Sequence, residues 1–403
     1  MSEMASKATL RAPQLYGYSE ELARAEADIA RLESQLRIRP DDLEIRVRMA
    51  YRLFHRASLT GKMDDFDAVE AAAKEALEQF GPKEDLCLLK ANLDFRFHRL
   101  AEVRRDLEMA PLLPGRFEGR ILLADLDYQE GRYEAARLGY EHLIEENPTW
   151  DNQARLAHWK SKLGDVAEAD KLYEEAEDEL TAKQMRSFAW LELERGVLAF
   201  QHGCYERAWK HYRLADEAYP GYWPTDEHFA ELLAAEGRFD EAKALFKTVI
   251  ARTPKPELQQ ALGELYLLTG RPEEAQAWFD CALATYLESV RRGGVHYFHH
   301  LADFYMDARI EPAEAVQWAS RDIEMRSNFS TQAAMAWALC LNDGPIRAVE
   351  HISLALHSGV QDAGIFSTAA RIFEAAGQPG KSQFYAQKAS QINPTYSNFH
   401  MHH

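Results

Sequence analysis

A period of roughly 34 residues runs through most of this 403-residue chain and constrains its fold more than any other feature. The period is marked by a recurring glycine, at Gly131, Gly164, Gly203, Gly237, Gly270, Gly344 and Gly377. One gap is double (344 − 270 = 74), so it hides a degenerate unit whose turn we expect near Arg309. A fixed repeat of this length is typical of stacked helical units that share one elongated core.

Each glycine separates two helical patterns that carry small and large residues at matching places. A small residue after the glycine is followed four positions later by a large one, in the pairs Ala136/Tyr140, Ala208/Tyr212, Ala242/Phe246 and Ala275/Phe279. Further small residues lie on the preceding helix, at Ala124, Ala157, Gly196, Ala230, Gly263, Ala302, Ala336 and Ala370. Small residues let two antiparallel helices approach closely, and the large residue fills the adjoining hole. Helical hairpins are therefore predicted.

This pattern resembles the tetratricopeptide repeat (TPR), a helix-turn-helix unit of about 34 residues. The best match is residues 256–283, where Gly263, Tyr266, Gly270, Ala275 and Phe279 are all in register. The resemblance implies an all-α fold, a right-handed α-solenoid superhelix built from antiparallel helix pairs. We expect ten units, starting near residues 41, 84, 117, 150, 189, 223, 256, 295, 329 and 363.

Three segments are predicted on this basis. Residues 1–40 form an N-terminal tail and a capping helix at about 20–37, residues 41–395 form one continuous solenoid, and residues 396–403 form a His-rich tail. The first two units and the unit at 295–328 fit the pattern loosely. Residues 56–62 are interpreted as an insertion between helices, and longer connections are expected around 180–188 and 284–295.

Composition excludes several classes of function. The chain has 65 acidic and 47 basic residues, a net charge of −18, and no basic segment of the kind that binds nucleic acid or anionic lipid. No apolar stretch approaches the roughly 20 residues of a membrane helix, so we expect no membrane insertion. The N-terminus as given lacks an apolar leader, so we expect a cytoplasmic location, with export as the alternative if a leader has been removed. The four cysteines are scattered, and no catalytic motif is present. We therefore expect a protein that is not an enzyme.

The TPR resemblance implies that the first helix of each unit lines a concave groove. The groove positions carried over to this sequence give apolar anchors at Trp190, Val197 and Phe200 and carboxylates at Glu227, Glu231, Glu257, Glu264 and Asp303. Such a groove favours a basic or amphipathic peptide or helix of a partner protein, by charge complementarity. The leading hypothesis is thus a scaffold or adaptor. The alternative is that these carboxylates simply lie on solvated helix faces.

A second hypothesis comes from the histidines. His296, His299, His300 and Asp303 lie within about two helical turns, and imidazole with carboxylate suits a transition metal ion. The tail adds a cluster that comprises His400, His402 and His403. A metal-binding accessory protein is therefore the rival interpretation; packed or solvated histidines are the alternative to it, and no other cofactor is expected.

Self-association is a third possibility, because the terminal units of a repeat array expose an apolar face unless polar residues cover it. On the last predicted helix, Gln383, Gln387 and Lys388 are placed to cover that face.

Overall fold

The computed structural model describes residues 17–399, in which every regular element is helical. The α-helices are α1 Tyr18–Ile38, α2 Leu43–Thr60, α3 Met63–Phe80, α4 Glu84–Arg96, α5 Leu100–Met109, α6 Phe117–Gln129, α7 Tyr133–Glu146, α8 Trp150–Lys162, α9 Val166–Asp178, α10 Met185–Gln201, α11 Tyr205–Ala218, α12 Trp223–Ala235, α13 Phe239–Arg252, α14 Pro256–Leu268, α15 Pro272–Arg291, α16 Phe298–Asp307, α17 Pro312–Met325, α18 Phe329–Asp343, α19 Pro345–His357, α20 Ala363–Ala375 and α21 Pro379–Ile392. A 3₁₀ turn, Leu113–Gly115, precedes α6. The predicted all-α solenoid is confirmed.

Helices α2 to α21 form ten antiparallel hairpins, which we number from hairpin 1 (α2 and α3) to hairpin 10 (α20 and α21). We call the loop inside a hairpin its turn and the loop between two hairpins a junction. Every first helix begins within four residues of the start predicted from the repeat pattern. Helix α1 precedes hairpin 1 and packs against α2.

Two local predictions were wrong. Residues 56–62 are not an insertion, because α2 continues without a break to Thr60 and only Gly61 and Lys62 separate it from α3. The segment from 284 to 291 is not a loose connection either, since it forms the last turns of α15. In both places a helix is longer than the repeat pattern requires.

Helix starts follow ordinary capping chemistry. The side chains of Asp42, Asn328 and Asp362 each accept a hydrogen bond from the backbone N–H three residues on, at 3.0 to 3.2 Å. Proline occupies the first turn of several helices, including α14 and α15, where its missing N–H costs no hydrogen bond. These signals fix where each helix begins along the repeat.

The small residues allow close packing within each hairpin, as the sequence predicted. A Cβ atom placed on Gly196 would lie 2.2 Å from Cε1 of Tyr212, and one on Gly263 would lie 2.5 Å from Cε1 of Phe279. Both aromatic rings are buried, so the two helices of each hairpin touch at the point where the first helix has no side chain.

The hairpins wind into a superhelix whose successive turns contact one another. At hairpin 3, Asn328 Nδ2 donates to the carbonyl of Gln129 at 3.1 Å, and the N–H of Phe329 donates to Tyr133 Oη at 2.7 Å. At hairpin 4, the N–H of Gln361 donates to the carbonyl of Lys162 at 2.8 Å. In each case the turn of one hairpin meets the junction between the fifth and sixth hairpins after it.

Contacts of the same kind occur at the N-terminal end of the array. At hairpin 1, Trp223 Nε1 donates to the carbonyl of Leu59 at 2.9 Å and Thr253 Oγ1 donates to that of Thr60 at 3.1 Å. Before hairpin 1, the N–H of Tyr18 at the start of α1 donates to the carbonyl of Pro220 at 3.2 Å. The superhelix therefore completes one turn in about six hairpins. We call the line of contacts between its turns the seam.

The seam satisfies backbone groups that a helix leaves unpaired. The last carbonyls of an α-helix have no partner within the helix. At Leu59, Gln129 and Lys162 a donor from the next superhelical turn supplies that partner. Near the C-terminus, Asn398 Nδ2 does the same for Ala235 at 3.0 Å.

Candidate functional site

The inner face of the superhelix is formed by the first helices of the hairpins and by the junctions before them. Lys255 is half-buried in the junction before α14. Its Nζ atom is 3.3 Å from Glu257 Oε1 and 5.0 Å from the centroid of the Trp223 ring. Burial lowers the pKa of Lys255, but Glu257 and Glu227 outweigh it, so the pKa lies above the usual value. Burial raises the pKa of Glu257, but nearby Lys255 and His300 outweigh burial, so this pKa lies below its usual value.

A second cation, Arg96, ends helix α4 at the seam. Its guanidinium lies 4.7 Å from the centroid of the Phe66 ring, and its side chain remains exposed to solvent. The surrounding protein nevertheless lowers the pKa of Arg96, opposed by the nearby phenols of Tyr222 and Tyr297.

The three predicted apolar anchors are largely engaged in packing. Trp190 meets the ring of Trp150 edge-on at 5.9 Å, and Phe200, which is 8% exposed, stacks on Tyr205 at 5.5 Å. Val197 is half-buried. These side chains connect neighbouring helices, so little of their surface is available to a partner.

The five predicted carboxylates differ in accessibility. Glu227 and Glu231 are buried, at 8% and 2% exposure. Glu257 is paired with Lys255, and Glu264 accepts a hydrogen bond from Gln260 Nε2 at 2.9 Å.

Asp303, half-buried on α16, completes this set. It lies close enough to the phenols of Tyr286 and Tyr396 to help raise the pKa of each, after the larger effect of burial. Asp307, one turn further along α16, acts on Tyr396 in the same way. The three predicted carboxylates that are only half-buried, Glu257, Glu264 and Asp303, therefore lie on α14 and α16.

The predicted histidine set forms part of the seam. His296 packs on Phe97 with ring centroids 4.9 Å apart, His300 stacks on Tyr286 at 5.9 Å, and His299 faces His98 at 5.6 Å. Burial lowers the pKa of His296 to about 4 and takes those of His98 and His299 well below the usual value.

Each of these rings has an aromatic neighbour, and the ring centroids of His299 and His300 lie 3.9 Å apart. Among residues 17–399, no three His, Cys, Asp or Glu side chains are grouped in a way that would hold a metal ion. The ligand set suggested by His296, His299, His300 and Asp303 is therefore not assembled. The predicted tail residues His400, His402 and His403 lie outside the described residues.

Sequence reasoning missed His98, although the period contained a signal for it. His98 stands 33 residues before Gly131 (131 − 98 = 33), at the turn position that glycine holds in most hairpins. It adopts φ 55°, the left-handed conformation that glycine favours. Ile310, in the turn of the degenerate hairpin 8 expected near Arg309, also has φ 55°. Both turns keep the backbone geometry of the repeat without its glycine.

A shallow pocket of about 280 Å³ lies between α1 and α2. It is lined by Arg31, Leu32, Arg48, Tyr51, Arg52 and His55. Asp28 pairs with Arg31 at 2.7 Å and with Arg52 at 3.3 Å, which offsets much of its positive charge.

Comparison with known proteins agrees with this architecture. A family model described as tetratricopeptide repeat matches residues 199–263 and 233–288, which comprise parts of hairpins 5 to 7. The chain carries tetratricopeptide repeats. The hairpins of this TPR protein outside the matched residues keep the same helix order and spacing. No protein with a curated description matches its sequence.

The chain is similar to several solved structures at low identity and with TM-scores below 0.5. A human IFIT1 dimer with PPP-AAAA is 14% identical, with 92% of this chain and 87% of that one covered and a TM-score of 0.48. The Cut9–Hcn1 hetero-tetramer of the APC/C is 15% identical, with coverage of 94% and 81% and a TM-score of 0.44. A thermophilic TPR protein of Thermus thermophilus is 25% identical, with coverage of 51% and 98% and a TM-score of 0.37. In residues 17–399 of the TPR chain, every helix is too short or too polar to cross a bilayer.

Proposed function

We propose that this TPR protein is a non-enzymatic scaffold that binds a segment of a partner protein along the inner face of its superhelix. Stacked helix pairs provide extended concave surfaces of the kind used for binding other proteins. The partner we propose is a basic or amphipathic peptide or helix. The proposal includes no nucleic acid and no cofactor.

The observation that carries this proposal is the convergence of carboxylates on two phenols. After burial, Glu257, Glu264 and Asp303 are among the charges that raise the pKa of Tyr286. Asp307 and Asp303 contribute in the same way at Tyr396, where Arg371 opposes them. Burial disfavours a charge of either sign, but the part of the shift that comes from the carboxylates favours a positive charge nearby.

The two inner cations define where a basic segment would not bind. The charge of Lys255 is offset by Glu257, whereas Arg96 is solvent-exposed at the far side of the seam. We therefore place basic side chains of the partner against α14 and α16, and we place any acidic side chain of an amphipathic segment towards Arg96. Charge complementarity of this kind determines orientation and the rate of association more than total affinity.

The test is a selection of peptides from a random display library on the immobilised protein, followed by affinity measurements on the recovered sequences. The inner variant is Glu264→Gln/Asp303→Asn. A matched control, Glu78→Gln/Glu145→Gln, makes the same change in net charge at residues with side-chain exposures of 69% and 79% on second helices. We expect enrichment of Lys- and Arg-rich peptides, a loss of affinity of about tenfold in the inner variant, corresponding to about 1.4 kcal/mol, and little change in the control.

Salt supplies an independent readout. Affinity for a selected basic peptide is expected to fall as ionic strength rises, and more steeply for the wild type than for the inner variant. Equal losses in the inner variant and the control, or recovered peptides without a basic bias, would contradict the proposal.

A further inference from the structure

The seam leaves part of the hairpin turns uncovered. A Cβ atom placed on Gly61, Gly131 or Gly164 would lie 2.8, 2.3 or 2.8 Å from an atom of the next superhelical turn. The same test at Gly270, Gly344 and Gly377 finds no atom of residues 17–399 within 4 Å. Within residues 17–399, hairpins 6 to 10 have no hairpin five or six places after them. At hairpin 6 the segment after α21 takes that place, because Asn398 donates to the carbonyl of Ala235. We call the turns of hairpins 7 to 10, together with the helix residues beside them (residues 267–272, 308–312, 341–346 and 375–379), the open turn edge.

One pair of leucines shows what the seam does to equivalent positions. Leu59 and Leu268 each stand two residues before the glycine of their turn. Leu59 is fully buried beneath the next superhelical turn and its carbonyl accepts the hydrogen bond from Trp223, whereas Leu268 is 59% exposed. The apolar position that the seam covers in hairpin 1 is therefore exposed at the open turn edge.

The opposite end of the superhelix has the complementary edge. Where a turn is covered, the seam pairs it with a junction five to six hairpins later, so within residues 17–399 the junctions that precede hairpins 1 to 5 have no turn packed on them. We call these loops, at residues 39–42, 81–83, 110–116, 147–149 and 179–184, the open junction edge. At or beside them, Ile38 and Leu112 are 80% and 66% exposed.

Exposed apolar side chains concentrate at these two edges. Twelve large apolar residues of the described chain are at least one-third exposed, and eight of them lie at or beside an open edge. The eight are Ile38, Met109, Leu112, Leu267, Leu268, Ile310, Leu341 and Ile346. Two-thirds of the exposed large apolar residues of the described chain therefore lie at the two edges that the seam leaves open.

Ile310 adds a second observation at the open turn edge. It is a β-branched residue at φ 55° and is 71% exposed, so it combines backbone strain with an apolar side chain in water. Glycine holds this place in most turns and would relieve the strain. A strained residue that serves no packing within the chain is expected where the side chain has another use.

We propose that the open turn edge of one copy docks on the open junction edge of a second copy, so that the seam continues from one molecule to the next. The occupant is a second copy because the chain itself contains both halves of this interface, already joined at the turns of hairpins 1 to 4 within one molecule. The contact is heterologous, since the two partners use different surfaces, and it extends into a chain of copies unless the geometry closes a ring. It does not involve the inner face or the outer surface of α21.

The experiment measures the mass of the full chain by light scattering and sedimentation velocity over a range of concentration. The turn-edge variant is Leu268→Asp/Ile310→Gly, in which the second change also relieves backbone strain. The junction-edge variant is Ile38→Asp/Leu112→Asp. Two controls carry an aspartate at an exposed apolar residue away from both edges: Leu138→Asp on α7 and Phe384→Asp on α21, at sites with exposures of 54% and 50%.

We expect the wild type and both controls to exceed the monomer mass of 46.1 kDa increasingly with concentration, and each edge variant to remain at that mass. An equimolar mixture of the two edge variants keeps one intact edge of each kind, so it should form dimers and nothing larger. Circular dichroism checks that all variants retain the helical content of the wild type.

A wild type that stays at 46.1 kDa at every concentration would overturn the proposal. So would edge variants that associate like the wild type, or a mixture of edge variants that remains monomeric. Loss of association in Phe384→Asp alone would overturn it as well, because that result assigns assembly to the terminal helix.

Discussion

The imidazole of His98 faces that of His299 across the seam, with ring centroids 5.6 Å apart. Burial lowers the pKa of both rings, and the nearby guanidinium of Arg326 lowers each further. Both rings are therefore neutral in the folded protein at pH values where the unfolded chain already takes up protons. Contact between two superhelical turns thus depends on two uncharged imidazoles.

The first prediction is a loss of stability in mild acid. An unfolded histidine binds its proton near pH 6.5, whereas His296 does so at about pH 4 and His98 and His299 lower than usual in the folded state. Their contribution is complete above about pH 6.5 and is lost as the pH falls towards the folded values. His299→Phe keeps a ring in the seam but cannot titrate. Denaturant unfolding measures the free energy of unfolding at pH 7 and pH 5. Between these pH values it should fall less in His299→Phe than in the wild type, by about 1 to 2 kcal/mol.

The control for this prediction is His142→Gln, since the His142 side chain is 68% exposed on α7. It should leave the pH dependence of the wild type unchanged. A His299→Phe protein with the same pH dependence as the wild type would show that the seam histidines are not responsible.

A second prediction concerns the close approach of helices within a hairpin. In Gly196→Ala the new methyl group meets the buried ring of Tyr212, so the free energy of unfolding should fall by about 1 to 3 kcal/mol. Gly380→Ala is the matched control, because a Cβ atom there meets nothing within 4 Å and the residue is helical. This control should be neutral or more stable by up to about 1 kcal/mol. Equal losses of stability at the two sites, by thermal or urea unfolding, would rule out this account.

A third prediction separates the contribution of the seam to stability from the cost of backbone strain. Gly131 and Gly270 have nearly the same conformation, with φ of 79° and 74°, but only Gly131 has a seam atom, the carbonyl oxygen of Ser327, against the new Cβ position. Both alanine variants should lose about 1 kcal/mol from the left-handed conformation. The free energy of unfolding of Gly131→Ala should fall by about 1 kcal/mol or more in addition, because the seam has to shift. If urea unfolding gives the two variants the same stability, the seam at hairpin 3 contributes nothing measurable.

A fourth prediction concerns the buried carboxylate network around Arg195. Glu177 and Asp170 both lie 3.0 Å from the Arg195 guanidinium. Burial and the charge of Glu192 raise the pKa of Glu177 to about 7, although Arg195 opposes the shift. A carboxyl with a raised folded pKa adds stability at low pH that is lost as the pH rises through the folded value.

Glu177→Gln mimics the protonated side chain, so it should match the wild type at pH 5 and be more stable by about 1 to 2 kcal/mol at pH 8. Thermal unfolding at the two pH values measures this difference. Glu145→Gln, at an exposed carboxylate, should be neutral at both. Destabilisation of Glu177→Gln at pH 8 would mean that its charge is needed by Arg195.

The hairpins could be predicted from the sequence because their determinants are local. Gly196 and Tyr212 lie within one repeat, and their sizes alone specify that two helices pack closely there. The degenerate hairpin could be placed by period as well, since its turn at Ile310 falls beside the expected Arg309. Each of these inferences uses residues fewer than about 40 positions apart.

The seam could not be predicted in the same way. It joins residues such as Leu59 and Trp223, whose proximity depends on a small rotation per hairpin accumulated over about six hairpins. His98 was missed for this reason, because its neighbour His299 lies one superhelical turn away. Lys255 was missed for a different reason, because it lies in a junction, outside the first-helix positions used to map the groove.

The carbonyls that accept hydrogen bonds across the seam have a consequence for how the chain folds. In an array where each unit contacts only its neighbours, the first hairpins can complete their structure while the rest are still being synthesised. Here the turn carbonyls at Leu59, Gln129 and Lys162 receive their donors only after Trp223, Asn328 and Gln361 have been added to the chain. The N-terminal half therefore reaches its final stability late in synthesis, and we expect the array to melt as one cooperative unit and not hairpin by hairpin.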